Sequence, residues 1–175
     1  MSNAKLKYQQ AMERLYLACI VLSGTALVVI TLIIPFGVFM RYVMHKPLQW
    51  PEPMAVILMV VFSFVGGAAV YRANVHIAVE ALLNAVKPSV RKAMEWGVTA
   101  CMLATAGFML FYGGDLCWIV RGQSMAEFPS VSQGLVYLPI PVAGLLTLLF
   151  IFEKVWVGEP PQTSIMYLDQ AVEAE

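Results

Sequence analysis

The segment 15-LYLACIVLSGTALVVITLIIPFGVFM-40 decides the fold, because its 26 residues include no charged side chain. A helix of this length spans roughly 39 Å at about 1.5 Å per residue, whereas the hydrocarbon core of a bilayer is about 30 Å thick. A secretory signal sequence has an apolar region of only about 7 to 15 residues and a small-residue cleavage site, and this segment has neither feature. It therefore predicts a retained membrane-spanning helix.

Three further uncharged runs follow, at residues 54–71, 96–114 and 129–152. Hydrophobic residues make up 60% of the chain and charged residues 13%, with a mean hydropathy of +0.75. Soluble domains carry about 25% charged residues, so a soluble fold is excluded. The predicted class is all-α, an integral membrane bundle of four transmembrane helices. The predicted spans are about 15–40, 54–71, 92–114 and 135–153.

The basic residues predict the orientation, since short cytoplasmic segments carry an excess of Lys and Arg. Of the eleven Lys and Arg residues, eight lie in the two tails and in the loop between the second and third spans, and three lie in the other two loops. We therefore expect both termini in the cytoplasm. Residues 41–53 and 115–134 are then on the outer side.

A different pattern lies between the second and third spans. Apolar residues recur there at helical spacing, and they are Val75, Val79, Leu82, Leu83 and Val86. This pattern predicts an amphipathic helix over about 74–86 that lies in the membrane interface. A weaker N-terminal stripe predicts another interfacial lead-in, and its members are Tyr8, Met12, Leu15 and Cys19. Residues 1–157 are thus expected to form one domain, followed by a mobile acidic tail at 158–175.

The chain offers little for catalysis. Its eleven basic and eleven acidic residues balance, so no basic surface is expected for nucleic acid. The two histidines, His45 and His76, fall in loops on opposite sides of the membrane, which disfavours a bis-histidine haem. No titratable side chain lies inside the four uncharged runs, where proton relays and ion pathways place theirs. We therefore predict no enzyme activity and no cofactor or metal bound by this chain.

Candidate contact residues flank the first outer loop, with Arg41 and Tyr42 before it and Trp50 and Glu52 after it. One interpretation is that they anchor the helix ends at the interface, as snorkelling cations and aromatic belts do. The other is that Arg41 makes a specific polar contact with Glu52 or with a partner. The sequence leaves both interpretations open.

Two further sets lie elsewhere in the chain. Arg72 and His76, four residues apart on the inner side, are interpreted as surface-pairing residues, with lipid or partner contact as the alternative. Gly66 and Gly67 belong to a patch of small residues that permits close packing within the bundle or against a different polypeptide. The Gly113-Gly114 pair is expected to end the third helix, as glycine commonly does.

Five short motifs, taken in order, resemble those of one known family. They are Phe39-Met40-Arg41-Tyr42, Trp50-Pro51-Glu52, Phe64-Val65-Gly66-Gly67-Ala68 with Arg72, His76-Ile77-Ala78-Val79, and Tyr137-Leu138-Pro139-Ile140-Pro141. Together with four spans, this order resembles the small membrane subunit (DctQ type) of tripartite ATP-independent periplasmic (TRAP) transporters. The sequence departs from the family at Pro53, because the family often has two adjacent acids after the Trp.

The resemblance implies a small permease subunit of the bacterial inner membrane, embedded in lipid and acting as a scaffold. In such a transporter a large multi-span permease subunit carries the substrate and sodium sites, and a periplasmic binding protein delivers an organic acid. By the predicted orientation, docking of the binding protein would use the outer loops, and the candidate residues there are His45, Lys46, Gln49, Arg121, Gln123 and Glu127. The alternative is a membrane anchor or assembly subunit of an oxidoreductase, which would predict paired intramembrane histidines. C4-dicarboxylates, sialic acids and sugar acids all stay open as substrates.

Overall fold

A computed structural model describes residues 3–73, 88–125, 128–129 and 131–156 of this chain. In these residues the regular structure is helical apart from one isolated bridge between Ser124 and Ser132. The helices are α1 (Asn3–Tyr42), α2 (Pro51–Ala73), α3 (Pro88–Val120), α4 (Gln133–Tyr137) and α5 (Pro139–Trp156). The predicted all-α class is thus confirmed.

Four stretches are long and apolar enough to cross a membrane, and they are Lys7–Tyr42, Pro51–Ala73, Trp96–Val120 and Gln133–Trp156. α1 begins well before the first predicted span, because residues 3–14 contain neither Gly nor Pro to interrupt a helix. The predicted interfacial helix at 74–86 and the predicted tail at 158–175 lie outside the described residues.

Local sequence determines where the shorter elements begin. α2 begins at Pro51 and α5 at Pro139, where the missing N–H costs nothing because the first turn of a helix leaves its N–H groups unpaired. Ser132 caps α4, since its hydroxyl oxygen accepts the N–H of Gly134 at 3.2 Å. The fourth span is therefore entered through one short helical turn and a break at Leu138.

The spanning helices form an open row in the order α1, α2, α5, α3. α2 packs on α1 and on α5, α5 packs on α3, and α1 also contacts α5, while the outermost helices α1 and α3 make at most marginal contact. The start of α1 and the end of α5 meet at one end of the row, which we call the terminal end. The α1–α2 and α3–α4 connections lie at the opposite end, which we call the loop end.

Most of the apolar surface of the row faces outward. Only 11% of the most apolar window of α3 is buried inside the chain, and the value for the fourth span is 39%. Large side chains stand out from α3, with Phe111 and Ile119 each 72% exposed. In a membrane, such surface contacts lipid or another protein.

The best-buried cluster lies where α1, α2 and α5 meet. Its members are Met12, Tyr16, Cys19, Val65, Ala68, Ala69, Leu146 and Phe150. Met12 and Cys19 belong to the N-terminal stripe that was expected to form an interfacial lead-in. That expectation is wrong, because α1 continues through the stripe without a break and packs it into the core.

Two glycines allow α3 and α5 to approach closely. A Cβ at Gly113 would lie 3.0 Å from Cγ2 of Ile140, and one at Gly144 would lie 2.9 Å from a carbonyl oxygen of α3. The prediction that the Gly113-Gly114 pair ends the third helix is wrong, since α3 continues to Val120. Gly113 instead makes room for α5, and neither glycine of the pair takes a positive φ.

Candidate functional site

The most deeply buried charges of the described residues lie near the terminal end of α2 and α5. Arg72 Nε donates to Glu153 Oε2 at 2.8 Å, and Arg72 Nη2 donates to Glu153 Oε1 at 2.9 Å. Each of the two side chains is only 4% exposed. Bidentate arginine–carboxylate contacts are strong and directional, and they compensate charges that burial has removed from water. The pair therefore sets the register of α2 against α5.

Aromatic rings from two helices flank the guanidinium of Arg72. Its Cζ lies 5.1 Å from the ring centroid of Tyr16 in α1 and 5.7 Å from that of Phe150 in α5. Its remaining nitrogen, Nη1, is buried and has no hydrogen-bond partner among the described residues. One arginine side chain thus joins three helices of the row.

The expectation that Arg72 pairs at the surface is wrong, because the side chain is buried and its partner is Glu153. His76, its predicted neighbour, lies outside the described residues.

The sequence does contain a signal for the observed pair of Arg72 and Glu153. Arg72 and Glu153 are the charged residues that end the uncharged runs of the second and fourth spans, and both runs end on the same side of the predicted topology. Opposite charges at matching depth are candidate partners.

A second set of contacts ties the start of α1 to the end of α5. The Tyr8 hydroxyl donates to the carbonyl oxygen of Leu149 at 3.3 Å. Its ring lies edge-on to Phe152 and Trp156, with centroids 6.0 and 5.8 Å away. Lys5 Nζ donates to the carbonyl oxygen of Trp156 at 3.2 Å, where a cation also favours the negative end of the helix dipole. The terminal end is thus held by contacts from α1, α2 and α5.

A different ion pair lies at the loop end. Arg41 Nη2 donates to Glu52 Oε1 at 2.5 Å, and these side chains are 46% and 73% exposed. Beside them, the ring of Phe36 packs on that of Trp50 with centroids 6.3 Å apart. Of the two interpretations of these residues, the structure contains the polar contact between Arg41 and Glu52. It joins the end of α1 to the start of α2.

The loop between α1 and α2 presents several candidate residues to the outside. Tyr42 is 71% exposed, and His45, Lys46 and Gln49 are exposed as well. His45 has a φ of 53°, in the left-handed region that non-glycine residues rarely adopt. Its Nδ1 lies 3.1 Å from the carbonyl oxygen of Val43. The loop therefore has a defined shape, and its exposed residues lie together at the loop end.

The second set of predicted docking residues follows α3. Arg121 and Gln123 are exposed, and Glu127 lies outside the described residues. The guanidinium carbon of Arg121 lies 3.5 Å from the ring centroid of Trp118. The Ser132 hydroxyl donates to the carbonyl oxygen of Arg121 at 2.7 Å, and the first N–H of α4 donates to that of Gln123 at 2.8 Å. Both predicted residues thus have a backbone fixed to α4.

α4 brings the two outer loops together. A Cβ at Gly134 would lie only 2.6 Å from the carbonyl oxygen of Cys117, so α4 packs directly on the backbone of α3. α4 also contacts α2, which begins at the end of the first outer loop. The described members of the two sets of predicted docking residues therefore occupy the same end of the row.

The two glycines of the small-residue patch have different surroundings. A Cβ at Gly66 would lie 3.3 Å from the Ser23 hydroxyl oxygen in α1, whereas one at Gly67 would meet nothing within 4 Å. Gly67 is exposed on the surface of the row. Each interpretation of the patch therefore fits one of the two glycines. Gly66 packs within the chain, whereas Gly67 leaves room for lipid or for another polypeptide.

The candidate contact surfaces given above all lie within the described part of the chain. No three His, Cys, Asp or Glu side chains come together there as a possible metal site. Cys19, Cys101 and Cys117 form no disulfide with one another.

Comparison with known proteins gives two findings. A family model described as "Tripartite ATP-independent periplasmic transporters, DctQ component" matches residues 30–158. Over 130 residues the chain is 25% identical to the sialic acid TRAP transporter permease protein SiaT of Haemophilus influenzae (strain 86-028NP), and the match covers 71% of this chain and 20% of that protein. The chain therefore spans about a fifth of the length of this relative.

Proposed function

The chain belongs to the DctQ component family of the tripartite ATP-independent periplasmic (TRAP) transporters, and on that basis we propose that it is the small permease subunit of a sodium-coupled transporter for an organic acid. In this proposal it is the membrane scaffold of a large permease subunit, and it contributes docking surface for a periplasmic binding protein. The observation that carries the proposal is the family match over residues 30–158, which includes residues of all four spanning helices.

The distribution of charge supports a scaffold role. Asp, Glu, Lys, Arg and His are absent from the uncharged parts of the four spans, at 15–40, 54–71, 96–114 and 136–152. The buried Arg72 and Glu153 satisfy each other's charge. Because ion and proton pathways use charged groups at membrane depth, we assign the sodium and substrate sites to the large subunit.

The match to SiaT supports the same division of roles between a scaffold subunit and a large subunit. SiaT is a permease, and this chain matches only about a fifth of it. We propose that the unmatched part of such a permease corresponds to the large subunit. The substrate in the name of SiaT, sialic acid, is an organic acid and supports that class of cargo. The identity of the acid then depends on the partner chains.

The family is that of a transporter component, which favours transport over the alternative of an oxidoreductase anchor. We further propose that both termini are cytoplasmic, so that the loop end faces the periplasm. The exposed docking candidates at that end, His45, Lys46, Gln49, Arg121 and Gln123, would then face the binding protein.

Co-purification and reconstitution test the scaffold role. The tagged full-length chain is expressed with a large TRAP permease subunit from the same organism, and the complex is purified in mild detergent. We expect a stable complex. In proteoliposomes with an inward sodium gradient and the loaded binding protein, we expect uptake that requires both permease chains. Failure to co-purify, or equal uptake by the large subunit alone, would contradict the proposal.

Cysteine labelling tests the orientation. In a background in which Cys19, Cys101 and Cys117 are replaced by Ser, single cysteines are introduced at Lys46 and at Lys5. A membrane-impermeant maleimide added to intact cells should label the position in the α1–α2 loop and spare the position near the N-terminus. The reverse pattern would invert the assignment of the docking residues.

A further inference from the structure

The face of α3 that points away from α5 has no role in the proposal above. Its exposed side chains recur every three or four residues, so they lie along one side of the helix. Toward the loop end these side chains are large, each at least 63% exposed, and they are Phe108, Phe111, Tyr112, Trp118 and Ile119. One acid, Asp115, lies among them and is exposed as well. This part of the face therefore combines aromatic rings with a single carboxylate.

Asp115 lies at a depth where a carboxylate needs a partner. Trp96 and Trp118 are 63% and 67% exposed near the two ends of the third span, where tryptophans anchor a helix at the membrane interfaces. Asp115 is about 12 Å from the midpoint between them, whereas half of the hydrocarbon core is about 15 Å thick. Its Cα–Cβ bond is tilted toward the N-terminus of α3, which is also toward the middle of the membrane. The bond is therefore directed away from the nearer interface.

The surroundings of Asp115 supply rings but no cation. Within the described part of the chain, its side chain has no ion pair and no hydrogen bond. Arg121, the nearest arginine in the sequence, is stacked on Trp118 with its guanidinium carbon 3.5 Å from the ring centroid. Tyr112 packs against Phe108 with ring centroids 4.7 Å apart. Because ionisable residues at membrane depth usually face protein and pair with an opposite charge, the face fits a cation from another molecule.

The buried site between α2 and α5 shows which cation suits such a setting. There the guanidinium of Arg72 pairs with the carboxylate of Glu153 and lies near the rings of Tyr16 and Phe150. The face of α3 offers a carboxylate and rings of the same kind. Arginine suits both groups, since its planar guanidinium binds a carboxylate through two hydrogen bonds and stacks on aromatic rings. The ammonium group of a phospholipid lies in the head-group layer, outside the hydrocarbon core.

We propose that this face of α3 binds a membrane-spanning helix of the large permease subunit, and that an arginine of that helix pairs with Asp115. The inference rests on the proposed function, which supplies the partner. Toward the terminal end the face has small residues, which allow a second helix to approach closely. They are Gly97, Cys101 and Ala104, all exposed. A second copy of this chain fits less well, because Arg41 and Arg121 at the loop end already have partners within the chain.

The charge is tested by Asp115→Asn in the full-length chain, co-expressed with the large permease subunit. Since the side chain of Asp115 pairs with none of the described residues, the unfolding transition of the chain should stay unchanged. The affinity for the large subunit should fall at least about tenfold, as when one partner of a buried charge pair is removed. Co-purification across a dilution series measures this change. Asp115→Glu is the matched control, because it keeps the charge and should retain most of the complex.

Photo-crosslinking tests the same face while Asp115 is kept. p-Benzoylphenylalanine takes the place of Phe111, one turn from Asp115, and the complex is irradiated in its membrane. We expect a cross-link to the large subunit, mapped by mass spectrometry to within about one turn of an arginine. Leu32 is the matched position for comparison, since it is 66% exposed on α1 at the other edge of the row. Exchanging the charges, with Asp115→Arg and that arginine replaced by Asp, should restore co-purification.

Several results would overturn the inference. They are equal affinities for Asp115→Asn and Asp115→Glu, a cross-link from position 111 only to phospholipid or to a second copy of this chain, and a cross-link to the large subunit from position 32 alone. Each of these leaves the proposed function intact if the unmodified chain forms the complex. Failure of the unmodified chain to co-purify would overturn the proposed function and this inference together.

Discussion

Two arginine–glutamate pairs join helices at opposite ends of α2. The pair Arg72–Glu153 at the terminal end links residues 81 positions apart, and each of its side chains is 4% exposed. The pair Arg41–Glu52 at the loop end links residues 11 positions apart and is largely exposed. The chemistry is the same in both, but the surroundings differ. The comparison therefore isolates what burial and long-range linkage add to an ion pair.

Burial has a larger effect on the stability lost when one partner is removed than on the net stability that the intact pair contributes. An exposed pair contributes about 0 to 1 kcal/mol, because water and salt replace the lost partner. A buried charge without its partner costs about 3 to 5 kcal/mol, because water cannot reach it. The terminal end should therefore be sensitive to single substitutions, and the loop end should depend on packing.

The largest effect is expected from Glu153→Leu. The substitution leaves the guanidinium of Arg72 buried without its carboxylate, so the free energy of unfolding should fall by about 3 to 5 kcal/mol. Denaturation of the purified chain in detergent, followed by tryptophan fluorescence, measures this change. Glu52→Leu is the matched control at the loop end, and it should lower the same quantity by less than about 1 kcal/mol.

The double variant Arg72→Leu, Glu153→Leu distinguishes an unpaired charge from lost packing. Replacing both members of a buried pair by apolar residues is often close to neutral, so most of the stability should return. A double variant as unstable as Glu153→Leu alone would show that the shape of the pair matters more than its charge.

The next effect concerns the small-residue patch midway along α2. Gly66→Leu forces a side chain against Ser23 in α1 and should destabilise the chain by about 1 to 3 kcal/mol. Gly67→Leu, one residue away, meets open space and should leave the unfolding transition unchanged. If Gly67 faces the large permease, the second variant should instead reduce co-purification. Equal destabilisation by both variants would contradict the assignment of Gly66 to the α1–α2 interface.

At the loop end, Gly134→Ala tests whether helix packing stabilises the structure more than the exposed ion pair does. The added methyl would lie 2.6 Å from the carbonyl oxygen of Cys117, so α4 must shift. We expect a loss of about 1 to 2 kcal/mol in the unfolding free energy. Gly122→Ala is the control, because a Cβ there meets nothing within 4 Å. Similar stabilities for the two variants would mean that α4 is not held by this contact.

The smallest effect on stability is expected for Arg41→Ala and Glu52→Ala. Each should change the unfolding free energy by less than about 1 kcal/mol and should make it less dependent on salt. We expect each variant to lower transport through weaker assembly with the large subunit, which co-purification yields would show. An intact mutant complex with an altered sodium Hill coefficient would contradict this expectation.

Sequence reasoning found the four membrane-spanning helices because uncharged runs of that length have few other structural solutions. It did not find the partner of Arg72, because periodicity and charge counting do not determine which helices become neighbours. α1 and α2 are adjacent in sequence and in the row, whereas α2 and α5 are neighbours only in the row. The Arg72–Glu153 pair therefore depends on the order of helices, which the sequence analysis had not predicted.

Glycine illustrates the second limit of the sequence analysis. The Gly113-Gly114 pair has the composition of a helix end, yet Gly113 lies in the middle of a helix contact with Ile140. Small residues permit both a left-handed turn and a close approach, and only the position of α5 distinguishes them. By contrast, the contact between Arg41 and Glu52 could be expected from the sequence, since a short loop brings both residues to the same end of the row.

The open row also has a consequence for the surrounding bilayer. α1 and α3 make at most marginal contact, so the spanning helices do not close into a compact four-helix bundle. Lipid tails are as apolar as the side chains they meet, so this large perimeter carries little hydrophobic penalty. An open arrangement of this kind can exchange lipid for a protein surface on one side while its other side stays in contact with lipid. Its geometry thus allows assembly without any rearrangement of its own helices.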